Sequence, residues 1–200
     1  MITQDYIAKK YGVDLSQPSP ISLPYRRDEL AVLFNEFGYR SGAEIGVDRG
    51  LYSELLCQKN PGVKLYCIDP WKVYRKYRDF DSQRLLDKNY EETKQRLAPY
   101  NCEIIKKSSM GAIGDFKPES LDFVYLDGNH AYEYVLEDIR GWSKIVKPGG
   151  IVSGHDYKCF KYKQIGFDVS SAVNLYVKEN DIKTFFVYTL NRSTTWFFCK

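Results

Sequence analysis

The sequence predicts an α/β fold: an open, doubly wound sheet of seven strands, mostly parallel, with helices on both faces. Three observations carry this. Leu121–Leu126 and residues 151–154 are short apolar runs flanking an amphipathic segment, and strands buried on both faces read as such runs. Three more runs, 43–47, 63–68 and 102–106, alternate with helical stretches, the pattern of strand-helix-strand units. Finally, 184–188 and 194–199 flank Leu190-Asn191-Arg192-Ser193, so the chain closes on an antiparallel hairpin.

The 200 residues, 44% hydrophobic, suit one domain over 1–200, with an N-terminal arm at 1–25 and the core at 26–200. A net charge of +3 is too small to argue for nucleic acid, and none is expected as a partner. Cys57, Cys67, Cys102, Cys159 and Cys199 form no Cys-x-x-Cys pair and read as free thiols. That implies a reducing compartment. The first residues hold no apolar core of a leader, and no stretch approaches membrane-spanning length. The expectation is a cytoplasmic protein without a membrane partner.

In order, the arm carries a short helix near 6–11, which Gln17-Pro18-Ser19-Pro20 breaks. It could cover a site or serve as a homo-oligomer contact. A leading helix over 26–37 puts Leu30, Leu33, Phe34 and Phe37 on one face, and Gly38 ends it. Strand 43–47 runs into Asp48-Arg49-Gly50 and a helix with Leu51, Leu55 and Leu56. Asn60-Pro61-Gly62 closes that helix. Strand 63–68 ends in Asp69-Pro70-Trp71. The interleaved bases and aromatics of 72–80 read as a solvated loop leading into a helix over 82–97. Strand 102–106 precedes Ser108-Ser109. Strand 121–126 ends in Asp127-Gly128-Asn129-His130. The helix after it has Val135, Ile139, Trp142 and Val146 at spacings of four, three and four, until Lys147-Pro148-Gly149-Gly150 stops it. Strand 151–154 then ends in His155-Asp156-Tyr157. The basic, aromatic stretch 158–163 is a candidate lid, and a helix over 169–178 leads to the hairpin.

Ligands of an open parallel sheet bind outside the carboxyl ends of its strands. If strands 121–126 and 151–154 pair directly, Asp127 and Asp156 can reach one point, because neighbouring strands lie about 4.8 Å apart. Both histidines of the chain, His130 and His155, sit at these same ends. A glycine turn after one strand and an acid ending the next suit a nucleoside: glycine admits the ligand close to backbone, and Asp69 accepts its ribose hydroxyls. Glu44 and Asp48 beside Gly46 and Gly50 would repel a pyrophosphate. They suit a ligand with cationic groups instead, namely the ammonium and sulfonium of S-adenosylmethionine.

Glu44-x-Gly46-x-x-x-Gly50, followed by Asp69, resembles the first motif of class I S-adenosylmethionine-dependent methyltransferases, whose core is a Rossmann-like sheet of seven strands. The stretch from Asp122 through Asp127-Gly128-Asn129-His130 to Gly154-His155-Asp156-Tyr157 is similar to a metal-dependent group that includes macrocin O-methyltransferase. The resemblance implies cofactor contacts at Glu44, Gly46, Val47, Asp48, Gly50, Asp69, Pro70, Trp71, Ser108, Ser109 and Asp127. It further implies a magnesium or manganese ion on Asp127 and Asp156, with His130 as general base and Asp127 as its catalytic companion. His155 departs from that group, which more often carries a second acid there. Imidazole favours manganese over magnesium, so His155 is a candidate third ligand. The implied reaction is O-methylation of a small-molecule or sugar hydroxyl. Two other readings of the same residues stay open: a nicotinamide-dependent oxidoreductase, and a non-catalytic protein that binds S-adenosylmethionine.

Overall fold

The computed structural model describes residues 3–74, 82–158 and 168–200. Most of the two basic, aromatic loops expected at 72–80 and 158–163, together with Cys159, lies outside these residues. The elements run α1 (Thr3–Tyr11), β1 (Ile21–Leu23), α2 (Asp28–Glu36), β2 (Ser41–Ile45), α3 (Leu51–Lys59), β3 (Lys64–Ile68), α4 (Gln83–Leu97) and β4 (Cys102–Ile105). They continue with α5 (Ser109–Ala112) and a 3-10 turn, then β5 (Leu121–Leu126), α6 (Tyr132–Ile145), β6 (Val146–Gly154), α7 (Val169–Glu179), β7 (Phe186–Tyr188) and β8 (Thr195–Cys199).

All eight strands form one sheet in the order β1-β7-β8-β6-β5-β2-β3-β4. The pairs are parallel except where β8 meets β6 and β7. Residue alternation divides the core into two layers, because successive strand side chains point to opposite faces. Phe123 and Tyr125 of β5 join Leu30, Phe34 and Leu56 from α2 and α3 on one face. Val124 and Leu126 join Ile139, Trp142 and Val173 from α6 and α7 on the other. Helices therefore cover both faces, as the apolar runs predict.

Besides shifts of one or two residues at element ends, such as the strand expected at 43–47 lying at Ser41–Ile45, two details of the sheet differ from the sequence reading. The sheet has eight strands, because Ile21-Ser22-Leu23 in the arm pairs parallel with β7. Its flanking prolines read as breakers, yet proline is tolerated beside an edge strand, and Ile21 and Leu23 are buried. The second concerns Val146, which opens β6 instead of ending α6. It pairs with Leu121, and Lys147-Pro148-Gly149-Gly150 forms an irregularity before Ile151 rejoins Phe123. Gly149 has φ +81°, a conformation that glycine adopts without a Cβ penalty.

The arm is fastened to the core. Ile7 is fully buried, the Thr3 hydroxyl donates to the Gly149 carbonyl at 2.6 Å, and Lys10 pairs with Glu36 at 2.6 Å. Cys57, Cys67, Cys102 and Cys199 are free. Among the described residues, no helix is long and apolar enough to cross a membrane.

Candidate functional site

The central strands β5, β2 and β3 end side by side, with Leu126 beside Ile45 and Ile45 beside Ile68. Beyond β2 the chain turns at Gly46, whose φ is +89°. A Cβ there would collide with the backbone of Asp127 and Gly128, so only glycine lets the two strand-end loops approach this closely. The Asp127 N–H donates to the Ile45 carbonyl at 2.7 Å and fastens them.

Asp69 organises the same turn. One carboxylate oxygen accepts the N–H groups of Val47 and Asp48 at 3.0 and 3.1 Å, and the other accepts that of Trp71 at 2.7 Å. The sequence reading assigns this acid to ribose hydroxyls; in the fold it also holds the glycine turn in shape. Burial pushes its carboxyl up from the ordinary value, against the pull of those backbone donors. The Trp71 indole is fully buried and donates to the Asp48 carbonyl at 2.8 Å. Its side chain therefore braces the turn. Gly50, with φ +72°, packs against Thr93 and caps α3 in the same supporting capacity.

Two clefts open on either side of the contact between Gly46 and Gly128. The larger, about 500 Å³, is lined by Ile45, Ile68, Pro70, Met110 and Tyr134, with Ser108, Ser109 and Asp138 supplying polar groups. The smaller, about 230 Å³, is lined by Arg27, Glu44, Val47, Asp48, Tyr52, Asp127 and His130. Gly46, Asp69 and Gly128 belong to both. Glu44 is buried and accepts a hydrogen bond from Ser53. Burial pushes its carboxyl up to about 8, with the Ser53 bond working against that and the charge of Asp127 adding to it.

Beside the smaller cleft, which Asp127 and His130 line, the ends of β5 and β6 bring Asp127, His130 and Asp156 together. Their donor atoms all lie within 4.8 Å of one another. His130 Nε2 is 3.3 Å from Asp127 and 3.0 Å from Asp156. His155 approaches from the side: its Nδ1 is 3.7 Å from Asp127 and 3.5 Å from Asp156, while its Nε2 is buried without a partner among the described residues. The histidine that completes the three-residue group is thus His130, and His155 stands behind it. Burial acts to raise the Asp156 carboxyl, but the hydrogen bonds and charges of His130 and His155 outweigh it and hold the acid well below the carboxylate range. For His155 burial acts to lower the pKa, and Asp127 and Asp156 reverse it.

The fold adds three residues that sequence reasoning did not single out. Arg27 reaches the cleft from the start of α2, with its guanidinium 4.8 Å over the Tyr52 ring and 3.8 Å from Asp127. Nothing in the sequence links Arg27 to Asp127, because only the sheet order brings them together. The third is Asp138, a buried acid in the apolar stripe of α6. Its signal was legible, since a carboxylate on the inward face of an amphipathic helix is rare without a task.

Asp138 accepts a hydrogen bond from Ser109, whose oxygen accepts in turn from the Trp142 indole at 2.8 Å. Burial pushes the Asp138 carboxyl up from 3.8 to about 7; the Ser109 bond opposes this and Glu137 adds to it. With the folded pKa raised, its stability contribution is intact below the unfolded value and is lost as pH rises towards the folded one. Asp138→Asn keeps the acceptor for Ser109. The variant is expected to match the wild type near pH 4 and to exceed it increasingly up to about pH 7. The advantage should grow by at most about 1.4 kcal/mol for each pH unit climbed, and thermal unfolding across that range measures it. A difference that does not change with pH would mean an ordinary carboxyl.

A protein of Acanthamoeba polyphaga mimivirus, uncharacterized protein R132, is 24% identical over 136 residues, 68% of this chain. The match spans only 58% of that relative's length. The O-methyltransferase from Bacillus cereus, solved in complex with S-adenosylhomocysteine, superposes with a TM-score of 0.63 at 14% identity, over 99% of this chain and 90% of that one. The O-methyltransferase TomG from Streptomyces achromogenes, involved in tomaymycin synthesis and solved with S-adenosylmethionine, gives 0.64 at 14% identity, over 86% of this chain and 78% of that one. At such identities the likeness concerns the fold. The sequence match is what decides: a family model described as a methyltransferase domain covers residues 43–157, more than half of the chain, and the chain belongs to that family.

Proposed function

We propose that this protein is an S-adenosylmethionine-dependent O-methyltransferase of the metal-assisted, macrocin O-methyltransferase-like kind, acting on a hydroxyl of a small molecule or sugar. The observation that carries the reading is the convergence of Asp127, His130 and Asp156 beside a cleft contiguous with the glycine turn. Structural neighbours that are O-methyltransferases with S-adenosyl ligands support it.

The residues fit both groups that the reading requires. Two carboxylates and an imidazole within 4.8 Å form a donor set for one divalent ion. Asp127 and Asp156 would hold it; the imidazole of this set is His130, and His155, with its Nδ1 3.5 Å from Asp156, is the other candidate ligand. The larger cleft combines apolar side chains such as Ile45, Ile68 and Met110 with polar ones such as Ser108, Ser109 and Asp138, a mixture that suits an adenine ring, and the acids of the smaller one suit a cationic tail. S-adenosylmethionine, when bound, supplies an electrophilic methyl group, and the ion supplies positive charge that acidifies a nearby hydroxyl.

The chain's own residues then do the following. Ser108, Ser109 and Asp138 present hydrogen-bonding groups in the large cleft. Glu44, uncharged near neutrality while buried, ionises when a cationic ammonium enters beside it. Gly46, which lacks a side chain and so meets the backbone of Asp127 and Gly128, keeps the cofactor turn and the acid-bearing turn in contact, so that acceptor and cofactor are held side by side. His130, at the lip of the turn, receives the acceptor's hydroxyl proton at an imidazole nitrogen.

The test is calorimetric titration with S-adenosylhomocysteine, followed by transfer of labelled methyl to a panel of hydroxylated acceptors. Saturable binding and turnover that stops on chelation and returns with magnesium or manganese are expected. Full turnover by the metal-free protein would leave Asp127 and Asp156 as substrate anchors and remove the ion from the mechanism.

A further inference from the structure

The smaller cleft is acid-rich, yet the tail of the proposed cofactor carries an anion as well as a cation. The glycine turn does not accommodate that anion well. The N–H groups of Val47 and Asp48 are engaged by Asp69, that of Gly46 by the Ile68 carbonyl, and that of Gly50 by the Val47 carbonyl. Glu44, Asp48 and Asp69 line the same cleft, with the Glu44 carboxyl held by Ser53, that of Asp48 by Asn89 and that of Asp69 by backbone N–H groups. A carboxylate entering here meets the first-turn N–H groups of α3, where Leu51 and Tyr52 line the cleft, and a cation would complete its site.

Two arginines line the cleft. Arg49 is exposed and already bonded to Glu92 at 2.8 Å. Arg27 differs in each respect. Its side chain is only 31% exposed, and its acidic neighbour, Asp127, is 3.8 Å away, beyond hydrogen-bonding distance. Its charge therefore has no carboxylate in a bidentate fork among the described residues. The adjoining Tyr125 hydroxyl, itself buried, is a neutral neighbour that cannot balance that charge. A half-buried guanidinium without a bonded anion is costly until one arrives. The Tyr52 ring, 4.8 Å below, holds the guanidinium in place.

The two clefts share Gly46, Asp69 and Gly128, so a nucleoside seated in the larger one sends its amino-acid tail past this contact and towards Arg27. We infer that Arg27 is the anion clamp of the site, binding the α-carboxylate of the S-adenosylmethionine tail in a bidentate fork supported by Tyr52. The inference rests on the proposed cofactor. It separates the two ends of the zwitterion: acids for the ammonium and sulfonium, one arginine for the carboxylate.

The test uses three ligands: S-adenosylmethionine, its decarboxylated form, which lacks only the carboxylate, and methylthioadenosine, which lacks the whole tail and the sulfonium charge. Arg27→Met is expected to weaken S-adenosylmethionine about 10- to 100-fold by calorimetry. The other two ligands should bind the variant as they bind the wild type, which also shows that it is folded. Arg27→Lys, with the charge but not the fork, should fall between. Equal weakening of all three ligands would make Arg27 a structural residue and overturn the assignment. So would unchanged affinity for S-adenosylmethionine with a raised KM for an anionic acceptor. If the wild type binds none of the three, the cofactor reading itself has failed, and this inference falls with it.

Discussion

His130→Ala is expected to cut turnover by about 10²–10⁴-fold, the usual worth of a positioned general base, while leaving S-adenosylhomocysteine affinity nearly unchanged. The side chain lines the smaller cleft and not the larger one, where Ser108, Ser109 and Asp138 stand. Binding and chemistry should therefore separate in this variant. His130 also stands 3.0 Å from Asp156 and 3.3 Å from Asp127, close enough to serve as a ligand itself. Titrating the variant with manganese distinguishes the two roles. A base stays lost at saturating metal, while a ligand is rescued by excess metal. Wild-type turnover in the variant would remove His130 from the mechanism altogether. His155→Ala is the companion measurement: its Nδ1 is 3.5 Å from Asp156, so its loss should weaken ion binding and leave the rate at saturating metal intact.

Among the described glycines, Gly46→Ala should be the most damaging addition of a methyl group. The residue has φ +89°, which a side chain rarely adopts, and the new Cβ meets the Asp127 carbonyl and the Gly128 nitrogen. Those atoms are backbone, and Asp127 is tied to Ile45 by a 2.7 Å hydrogen bond, so neither loop can yield without parting the two strand ends. Strain of this kind costs about 1–3 kcal/mol before the collision is counted. A fall in melting temperature of roughly 10 °C, with cofactor binding lost at ordinary concentrations, is expected. Gly114→Ala is the control, because its Cβ meets nothing within 4 Å and its φ is not positive. A Gly46→Ala protein that melts and binds like the wild type would show that the two loops do not need this close approach.

The central strands and helices were legible because each carries its burial in its own residues. Leu121–Leu126 is apolar on both faces and could only be an inner strand, and the predicted pairing of its end with that of β6 holds, with Leu126 opposite Gly154. Asp127, His130 and Asp156 could be singled out for the same local reason: polar groups stand abruptly where an apolar run stops. β1 was missed because three residues between prolines carry too little periodicity. Its partner, β7, is 165 residues further along.

By itself, then, the sequence determined the α/β class, the order of the inner elements and the strand ends at which chemistry could occur. Those properties follow from local periodicity and from the abrupt loss of apolar character. Only the tertiary structure decided which groups share a space. It set Arg27 over Tyr52 beside Asp127, put His130 rather than His155 into the acid pair, and turned Trp71 inward as a brace. Each of these depends on strand order and on the direction a side chain leaves its backbone. Those are contacts between residues distant in the chain, and the residues on either side of any one of them do not encode it.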